Sequence, residues 1–270
     1  MKTTFILAVL LFAVINCNAQ TAKEYWFRGQ IQANFENNHQ KAVFNYNMAI
    51  KIDPKYAMAY SSRAYSKRQL GDIKGAFADY NKVIQLQPDS SAAYANRGLL
   101  KVITHDYKGG MQDFSIAIEK NPKDPYGYMI RASAKETLLD YRGAVLYVER
   151  AIKLDPENFH AFQILGNLYL QLDNLALAKA NYTKAIELNA MDYTSHFNRG
   201  NILLQEKFLS AAIEDFDLAI AINPKNGNPY FRRGLAKYLN HNKEAACLDF
   251  SKAGELGVDE VYDLIKQNCN

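Results

Sequence analysis

Residues 57–90 read AMAYSSRAYSKRQLGDIKGAFADYNKVIQLQPDS, and residues 91–124 read SAAYANRGLLKVITHDYKGGMQDFSIAIEKNPKD. The two stretches align without a gap, so that Pro88 of the first matches Pro122 of the second. Five of the seven prolines are separated by 34 residues or a multiple of 34: Pro54, Pro88, Pro122, Pro156 and Pro224. Self-similarity at a fixed period of this size indicates a chain of stacked, equivalent structural units.

Seven blocks of 34 residues account for most of the chain: 23–56, 57–90, 91–124, 125–158, 159–192, 193–226 and 227–260. A residue's position within its block is called its column below. Column 4 is aromatic in six blocks, and the seventh has His196 there. Column 8 is mostly Gly or Ala and column 20 is Gly or Ala in every block, as in Gly98 and Gly110. Because two helices approach closely only where side chains are small, these columns predict a helix crossing within each block.

Large residues in column 24 and small ones in column 27 extend this pattern into an apolar stripe with helical spacing, as in Phe114 and Ala117. The chain therefore resembles the tetratricopeptide repeat family, and the resemblance covers residues 23–260 without an insertion. It implies an all-α fold, a right-handed α-solenoid of seven helix-turn-helix repeats. We expect a domain at 20–270, closed by a capping helix at 259–269.

Arginine fills column 7 in five blocks, and aspartate fills column 23 in four of those five. One such pair is Arg97 and Asp113, whereas Arg131 has Tyr147 in the partner column. We expect the arginine and aspartate to clamp the two helices of a repeat, because a guanidinium can bind a carboxylate with two hydrogen bonds. The alternative is a set of independent, solvated surface charges, each contributing about 0–1 kcal/mol.

The resemblance implies a concave surface that is lined by the first helix of each repeat at columns 2, 5, 6, 9, 12 and 13. On this face the sequence has amides with interspersed aromatic residues: Asn96, Tyr126, Met129, His160, Gln163, Asn167, Phe197, Asn198, Asn201, Gln205, Phe231 and Arg232. Asn and Gln both donate to and accept from a peptide backbone. We therefore expect a scaffold that binds a protein or an extended peptide, although the alternative for the aromatic positions is packing between repeats.

No catalytic, cofactor-binding or metal-binding constellation stands out in the sequence, and an enzyme is not expected. The histidines are scattered over five blocks; His105 and His241 fall in a turn column, while His196 replaces a core aromatic residue. Nucleic-acid binding is not expected either, since basic residues are spread through every block instead of clustering on one face.

The first 19 residues differ in character from the repeats. Lys2 precedes an apolar run from Phe5 to Ile15, which is too short to span a bilayer as a helix, and small residues follow it. This pattern predicts a secretory signal that is cleaved after Ala19, with export across the inner membrane to the periplasm. A membrane anchor is one alternative. Another is a lipid anchor on Cys17, which would make the protein an outer-membrane-associated assembly factor or structural subunit of an envelope complex.

Two further cysteines, Cys247 and Cys269, lie equally far from the predicted turn near Val258 that leads into the capping helix. In an antiparallel helix pair they stand at the same height, so a disulfide between them is expected in an oxidising compartment. The alternative is two free thiols.

Overall fold

The computed structural model describes residues 21–269, which form fifteen α-helices and contain no strand. The prediction of an all-α fold is confirmed. The predicted signal segment at 1–19, including Cys17, lies outside the described residues. The chain divides into two compact units, with the boundary between Pro122 and Lys123.

The first unit contains six helices: α1 (Ala22–Asn34), α2 (His39–Ile52), α3 (Ala57–Gln69), α4 (Ile73–Leu86), α5 (Ser91–Ile103) and α6 (Tyr107–Lys120). They pack as the pairs α1 and α2, α3 and α4, and α5 and α6, and within this unit the first pair packs against the second and the second against the third. Each pair is one repeat; its first member is called helix A and its second helix B.

The second unit contains nine helices: α7 (Pro125–Thr137), α8 (Tyr141–Leu154), α9 (Phe159–Gln171), α10 (Leu175–Leu188), α11 (Tyr193–Gln205), α12 (Leu209–Ile222), α13 (Gly227–Leu239), α14 (Lys243–Glu255) and α15 (Val261–Asn268). Four A–B pairs follow one another, and α15 packs on α14 as the expected cap.

Local sequence explains where the helices start and how closely they cross. Asp106 caps α6 by accepting a hydrogen bond from the backbone N–H of Gly109, which satisfies one of the free donors at the helix start. At the predicted crossing, a Cβ on Gly98 would lie 2.8 Å from Cε1 of Phe114 and 3.0 Å from the carbonyl oxygen of Gly110. Only glycine fits this approach without displacing the partner helix.

The first repeat departs from the predicted register. The turn between α1 and α2 covers residues 35–38, whereas the turn between α3 and α4 covers 70–72, so this turn holds one extra residue. Helix α1 accordingly starts at Ala22, one residue before the predicted block at 23. Gly29, and not Gln30, then takes the crossing position against the ring of Tyr46. Arg28 then takes the column 7 position of this repeat, which the register starting at residue 23 gives to Gly29.

The predicted clamp between Arg and Asp is confirmed in four repeats. Each arginine donates through Nε and Nη2 to the two carboxylate oxygens of one aspartate, in the pairs Arg63–Asp79, Arg97–Asp113, Arg199–Asp215 and Arg233–Asp249. The four carboxylates are buried, which rules out the alternative of solvated surface charges. In the fourth repeat, where Tyr147 replaces the aspartate, the guanidinium of Arg131 lies 4.7 Å from the ring centroid of Tyr147.

The cap closes the last repeat. Val261 of α15 is fully buried and belongs to a cluster with Ala246, Phe250 and Ala253 of α14. A disulfide joins Cys247 of α14 to Cys269 at the end of α15, with the two Cα atoms 5.6 Å apart.

Candidate functional site

The twelve residues predicted to bind a ligand all lie on A helices, but not all in one unit. Asn96 lies on α5 of the first unit, where its Nδ2 donates to the carbonyl of Ala92 at 2.8 Å. The other eleven lie in the second unit, on α7, α9, α11 and α13. The candidate site considered below is the helix A face of the second unit.

The apolar members of the set mostly pack inside the repeats. Phe197 stacks on Tyr193 with ring centroids 5.9 Å apart and also contacts the ring of Phe216. Phe231 lies against Phe250, and Met129 packs on the buried cluster around α7, α8 and α9. Packing therefore describes the main contacts of these three residues, but the ring contacts of Phe197 and Phe231 lie within their own repeats and not between repeats, as the alternative interpretation has them.

Two of the predicted amides hold neighbouring repeats together. The hydroxyl of Tyr182 on α10 donates to Oδ1 of Asn167 on α9 at 2.6 Å. Nδ2 of Asn198, on α11 in the next repeat, lies 3.3 Å from both Asn167 Oδ1 and the Tyr182 hydroxyl. Burial raises the pKa of Tyr182, so the phenol remains a donor at neutral pH. Asn167 and Asn198 are therefore occupied within the array.

Gln163 is likewise engaged within the array. Its Nε2 donates to both carboxylate oxygens of Asp192, at 2.8 and 3.0 Å. Asp192 is buried and also caps α11 by accepting from the backbone N–H of Ser195. The side chain of Gln163 thus links α9 to the start of the next helix A.

Asn201 on α11 differs from Asn167, which occupies the same column one repeat earlier. Oδ1 of Asn201 is buried and has no hydrogen-bond partner. The partners of Asn167 have no equivalents around Asn201. Phe216 occupies the column of Tyr182 and has no hydroxyl, and Arg232 occupies the column of Asn198 and has no amide. An unpaired buried carbonyl costs about 1–3 kcal/mol, so a group that donates to it stabilises the site.

The predicted residues that are exposed to solvent form the rest of the candidate surface: Tyr126, His160, Gln205 and Arg232. Gln205 lies four residues after Asn201, on the same side of α11. The guanidinium of Arg232 lies 5.5 Å from the ring centroid of Phe231. Gln205 and Arg232 therefore offer an amide and a cation at the surface of adjacent A helices, and Asn201 adds an acceptor that is buried and unpaired.

Comparison with known proteins agrees with this architecture. Tetratricopeptide repeat family models match residues 57–90, 131–178 and 165–227. Residues 57–90 and 131–227 carry tetratricopeptide repeats. Such repeats are generally non-catalytic scaffolds for interactions between proteins.

Solved structures with tetratricopeptide folds are similar to this chain at low sequence identity. PilF from Pseudomonas aeruginosa matches with a TM-score of 0.68 and 18% identity, over 78% of this chain and 96% of PilF. A tetratricopeptide repeat protein from Parabacteroides merdae matches with a TM-score of 0.58 and 17% identity, over 92% of this chain and 99% of its own. These likenesses concern the fold alone. The search of curated protein sequences found no match.

The repeats also form a cleft that the sequence analysis did not predict. It has a volume of about 580 Å³ and lies between the B helices α10 and α12, with Arg199 and Leu203 of α11 contributing to its lining. Its walls include three alanines, Ala176, Ala180 and Ala211. Leu203 occupies the same column as Lys101 and Lys237, and each of these lysines forms an ion pair with the clamp aspartate of its own repeat. The sequence features that could have indicated this cleft are the three alanines and the leucine at position 203 in place of a lysine.

Within residues 21–269, no cluster of three or more His, Cys, Asp or Glu side chains could hold a metal ion. In the same part of the chain, no helix combines the length and apolar character needed to cross a bilayer. His196, expected as buried packing, is buried but also polar: Nδ1 lies 3.0 Å from Asp215 Oδ1, and Nε2 lies 3.1 Å from the carbonyl of Ala190.

Proposed function

We propose that the protein is a non-enzymatic scaffold that binds an extended peptide segment of a partner protein on the helix A face of its second unit. The observation that carries this proposal is the unpaired amide oxygen of Asn201. No internal hydrogen bond holds its Oδ1, so a rotation of the side chain that brings this buried oxygen to a ligand costs the fold no hydrogen bond of that atom.

The chemistry of the surrounding residues supports a peptide backbone as the ligand. A backbone N–H donates to Asn201 Oδ1, and the amide nitrogen of Asn201 or Gln205 donates to a backbone carbonyl. Arg232 adds a cation that attracts an acidic side chain or a chain terminus. Backbone recognition of this kind tolerates many peptide sequences, since every non-proline residue carries the same donor and acceptor.

Peptide selection from a random library tests the proposal. Binders selected on the wild-type protein are measured by isothermal titration calorimetry against Asn201→Ala and Arg232→Ala. Asn181→Ala is the matched control, because Asn181 lies on helix B and its Nδ2 donates to the carbonyl of Leu177 in its own helix. We expect Asn201→Ala to weaken binding by about tenfold, or ~1.4 kcal/mol. Equal affinity for wild type and Asn201→Ala contradicts the proposed site.

The proposed location is outside the cytoplasm, in the periplasm, after removal of residues 1–19. The disulfide between Cys247 and Cys269 supports an oxidising compartment. Intact mass measurement of protein from the native envelope distinguishes the alternatives: a first residue at Gln20 supports the secreted form, and an acylated Cys17 supports a tethered subunit of an envelope complex.

A further inference from the structure

The fourth repeat keeps the cations of the clamp but lacks its carboxylate. Arg131 and Lys135 occupy columns 7 and 11 of α7, and Tyr147 of α8 occupies column 23. In three other repeats an arginine and a lysine in these columns together bind one buried aspartate, in the sets Arg63–Lys67–Asp79, Arg97–Lys101–Asp113 and Arg233–Lys237–Asp249. This spacing of cations on helix A therefore suits a single carboxylate.

The guanidinium of Arg131 lacks an oxygen acceptor that its equivalents have. Its Cζ lies over the ring of Tyr147, 4.7 Å from the ring centroid. Such a contact attracts the positive charge but supplies no oxygen for the N–H groups. Nε of Arg131 is buried and has no hydrogen-bond partner among the described residues, whereas Nε of Arg97 donates to Asp113 at 2.8 Å.

Lys135 binds a different group from its equivalents. Its Nζ lies 2.7 Å from Oδ2 of Asp140, which also caps α8 by accepting from the backbone N–H of Gly143 through Oδ1. The side chains of Lys135 and Asp140 are 27% and 41% exposed, whereas the clamp aspartates are buried. Ion pairs that are open to solvent are weak, so a ligand draws Lys135 away from Asp140 at little cost.

The next repeat shows that helix packing does not require an arginine in column 7. Leu165 occupies this column there, Asn181 occupies column 23, and Leu165 is buried. That repeat has lost the arginine together with the aspartate, and no donor in column 7 is left unpaired. The fold thus has a neutral solution for this column, and packing alone does not account for the cation at Arg131.

We propose that Arg131 and Lys135 bind a carboxylate of a partner protein, supplied by an aspartate or glutamate side chain. The guanidinium donates two hydrogen bonds and the ammonium a third, as in the three complete clamps. Arg131 is half-buried and Lys135 is partly exposed, so the carboxylate reaches them from solvent. Columns 7 and 11 are not among those that line the helix A face, so this site is separate from the one around Asn201.

A blocked amino acid tests the site directly. N-acetylaspartate N-methylamide carries a side-chain carboxylate and no chain terminus, and N-acetylasparagine N-methylamide is its neutral match. Each is titrated into the isotope-labelled protein at constant ionic strength, and the Nε–Hε resonances of the arginines are followed by NMR. We expect the aspartate derivative to shift the resonance of Arg131 with saturation in the millimolar range. The resonance of Arg97, which already has its carboxylate, is expected to stay in place.

Two results of this titration overturn the proposal. One is an Arg131 resonance that does not move. The other is a resonance that moves equally with the asparagine derivative, because a carboxylate is then not what the site recognises.

The variant Asp140→Asn tests the role of Lys135 by a gain of affinity. Asparagine caps a helix about as well as aspartate, so the variant folds while Lys135 is released from its ion pair. The dissociation constant of the aspartate derivative is expected to fall by about two- to fivefold. The matched control is Asp106→Asn, since Asp106 caps α6 in a repeat whose clamp is complete. An unchanged constant for Asp140→Asn, or an equal gain for the control, overturns the proposal.

The variant Tyr147→Asp gives the fourth repeat a carboxylate of its own. This carboxylate competes for Arg131 and Lys135, so the response to the aspartate derivative is expected to disappear. Tyr147→Phe keeps the ring and is expected to bind like the wild type, and urea unfolding shows that both variants are folded. Undiminished binding to folded Tyr147→Asp overturns the proposal.

Discussion

Arg97 binds Asp113 through two hydrogen bonds, from Nε at 2.8 Å and from Nη2 at 2.7 Å. Its third nitrogen, Nη1, donates to Asn81 Oδ1 of the preceding repeat at 2.9 Å. Burial alone would raise the pKa of Asp113, but the hydrogen bonds from Arg97 and Lys101 outweigh it and hold that pKa below its usual value. One guanidinium therefore fixes three helices in two repeats.

Removal of this clamp is expected to destabilise the protein strongly. Arg97→Ala leaves the carboxylate of Asp113 buried with Lys101 as its remaining cation, and breaking a buried pair costs about 3–5 kcal/mol. Urea unfolding of Arg97→Ala, Asp113→Ala and the double variant gives the coupling energy. The matched control is the exposed pair Lys184–Glu187, for which about 0–1 kcal/mol is expected. Similar coupling in both cycles contradicts a structural role for the clamp.

The clamp also predicts how stability depends on pH. The pKa of Asp215 is lowered like that of Asp113, since hydrogen bonds from Arg199 and His196 outweigh the effect of burial. A lowered folded-state pKa means that the stabilisation is present above the ordinary aspartate value of about 3.9 and is lost as pH falls through the folded value. We expect the double variant Asp113→Asn with Asp215→Asn to lose less free energy of unfolding than the wild type as the pH falls from about 5 to about 2. Parallel acid transitions for variant and wild type would count against this account.

The sequence predicted the parts of the fold that repeat. The clamp and the crossing at Gly98 follow from columns that recur, because each occurrence has the same neighbours. In the first block the sequence shows Arg28 and Gly29 one place earlier than in the other blocks, but it does not show that the cause is one extra residue in the turn between α1 and α2. The different roles of Asn167 and Asn201 also depend on residues in other columns, Tyr182 and Phe216, that only the packing brings next to them.

Leu139 occupies a turn position with left-handed backbone geometry, at a φ of 59°. The same column holds Gly71 in the second repeat, with a φ of 81°. A left-handed conformation costs a residue with a side chain about 1–2 kcal/mol. Leu139→Gly is therefore expected to raise the thermal midpoint, whereas the control Leu138→Gly, at a position with a φ of −86°, lowers it. Calorimetry of the two variants checks the difference.

The disulfide is expected to act locally on the cap. Reduction, or Cys247→Ser with Cys269→Ser, frees α15 from α14 and raises hydrogen exchange in Val261–Asn268 more than in α13. Closing a loop of about 20 residues stabilises a fold by about 3 kcal/mol. Peptide mapping gives the direct check: a shift of the cap peptide on reduction is expected, and labelling of both thiols without reductant would contradict the bridge.

Alanine substitution is expected to lower the free energy of unfolding at Asn167, which is hydrogen-bonded, more than at Asn201, whose Oδ1 is unpaired. Asn167→Ala leaves the buried Tyr182 hydroxyl without its acceptor at 2.6 Å, at a cost of about 1–3 kcal/mol. Asn201→Ala removes an unpaired carbonyl, so little or no loss is expected. Chemical unfolding of the two variants compares the same substitution in the same column. A larger loss for Asn201→Ala would show that its amide is used within the fold.

Site-specific photo-crosslinking tests the central claim, that the helix A face of the second unit binds a partner. A photoreactive amino acid replaces Gln205 in one variant and Leu218, an exposed residue that lines the cleft between the B helices, in another. The account predicts that a partner is captured in the native envelope through Gln205, and that Asn201→Ala reduces this capture. Capture through Leu218 alone, unaffected by Asn201→Ala, would place binding in the cleft and contradict the account.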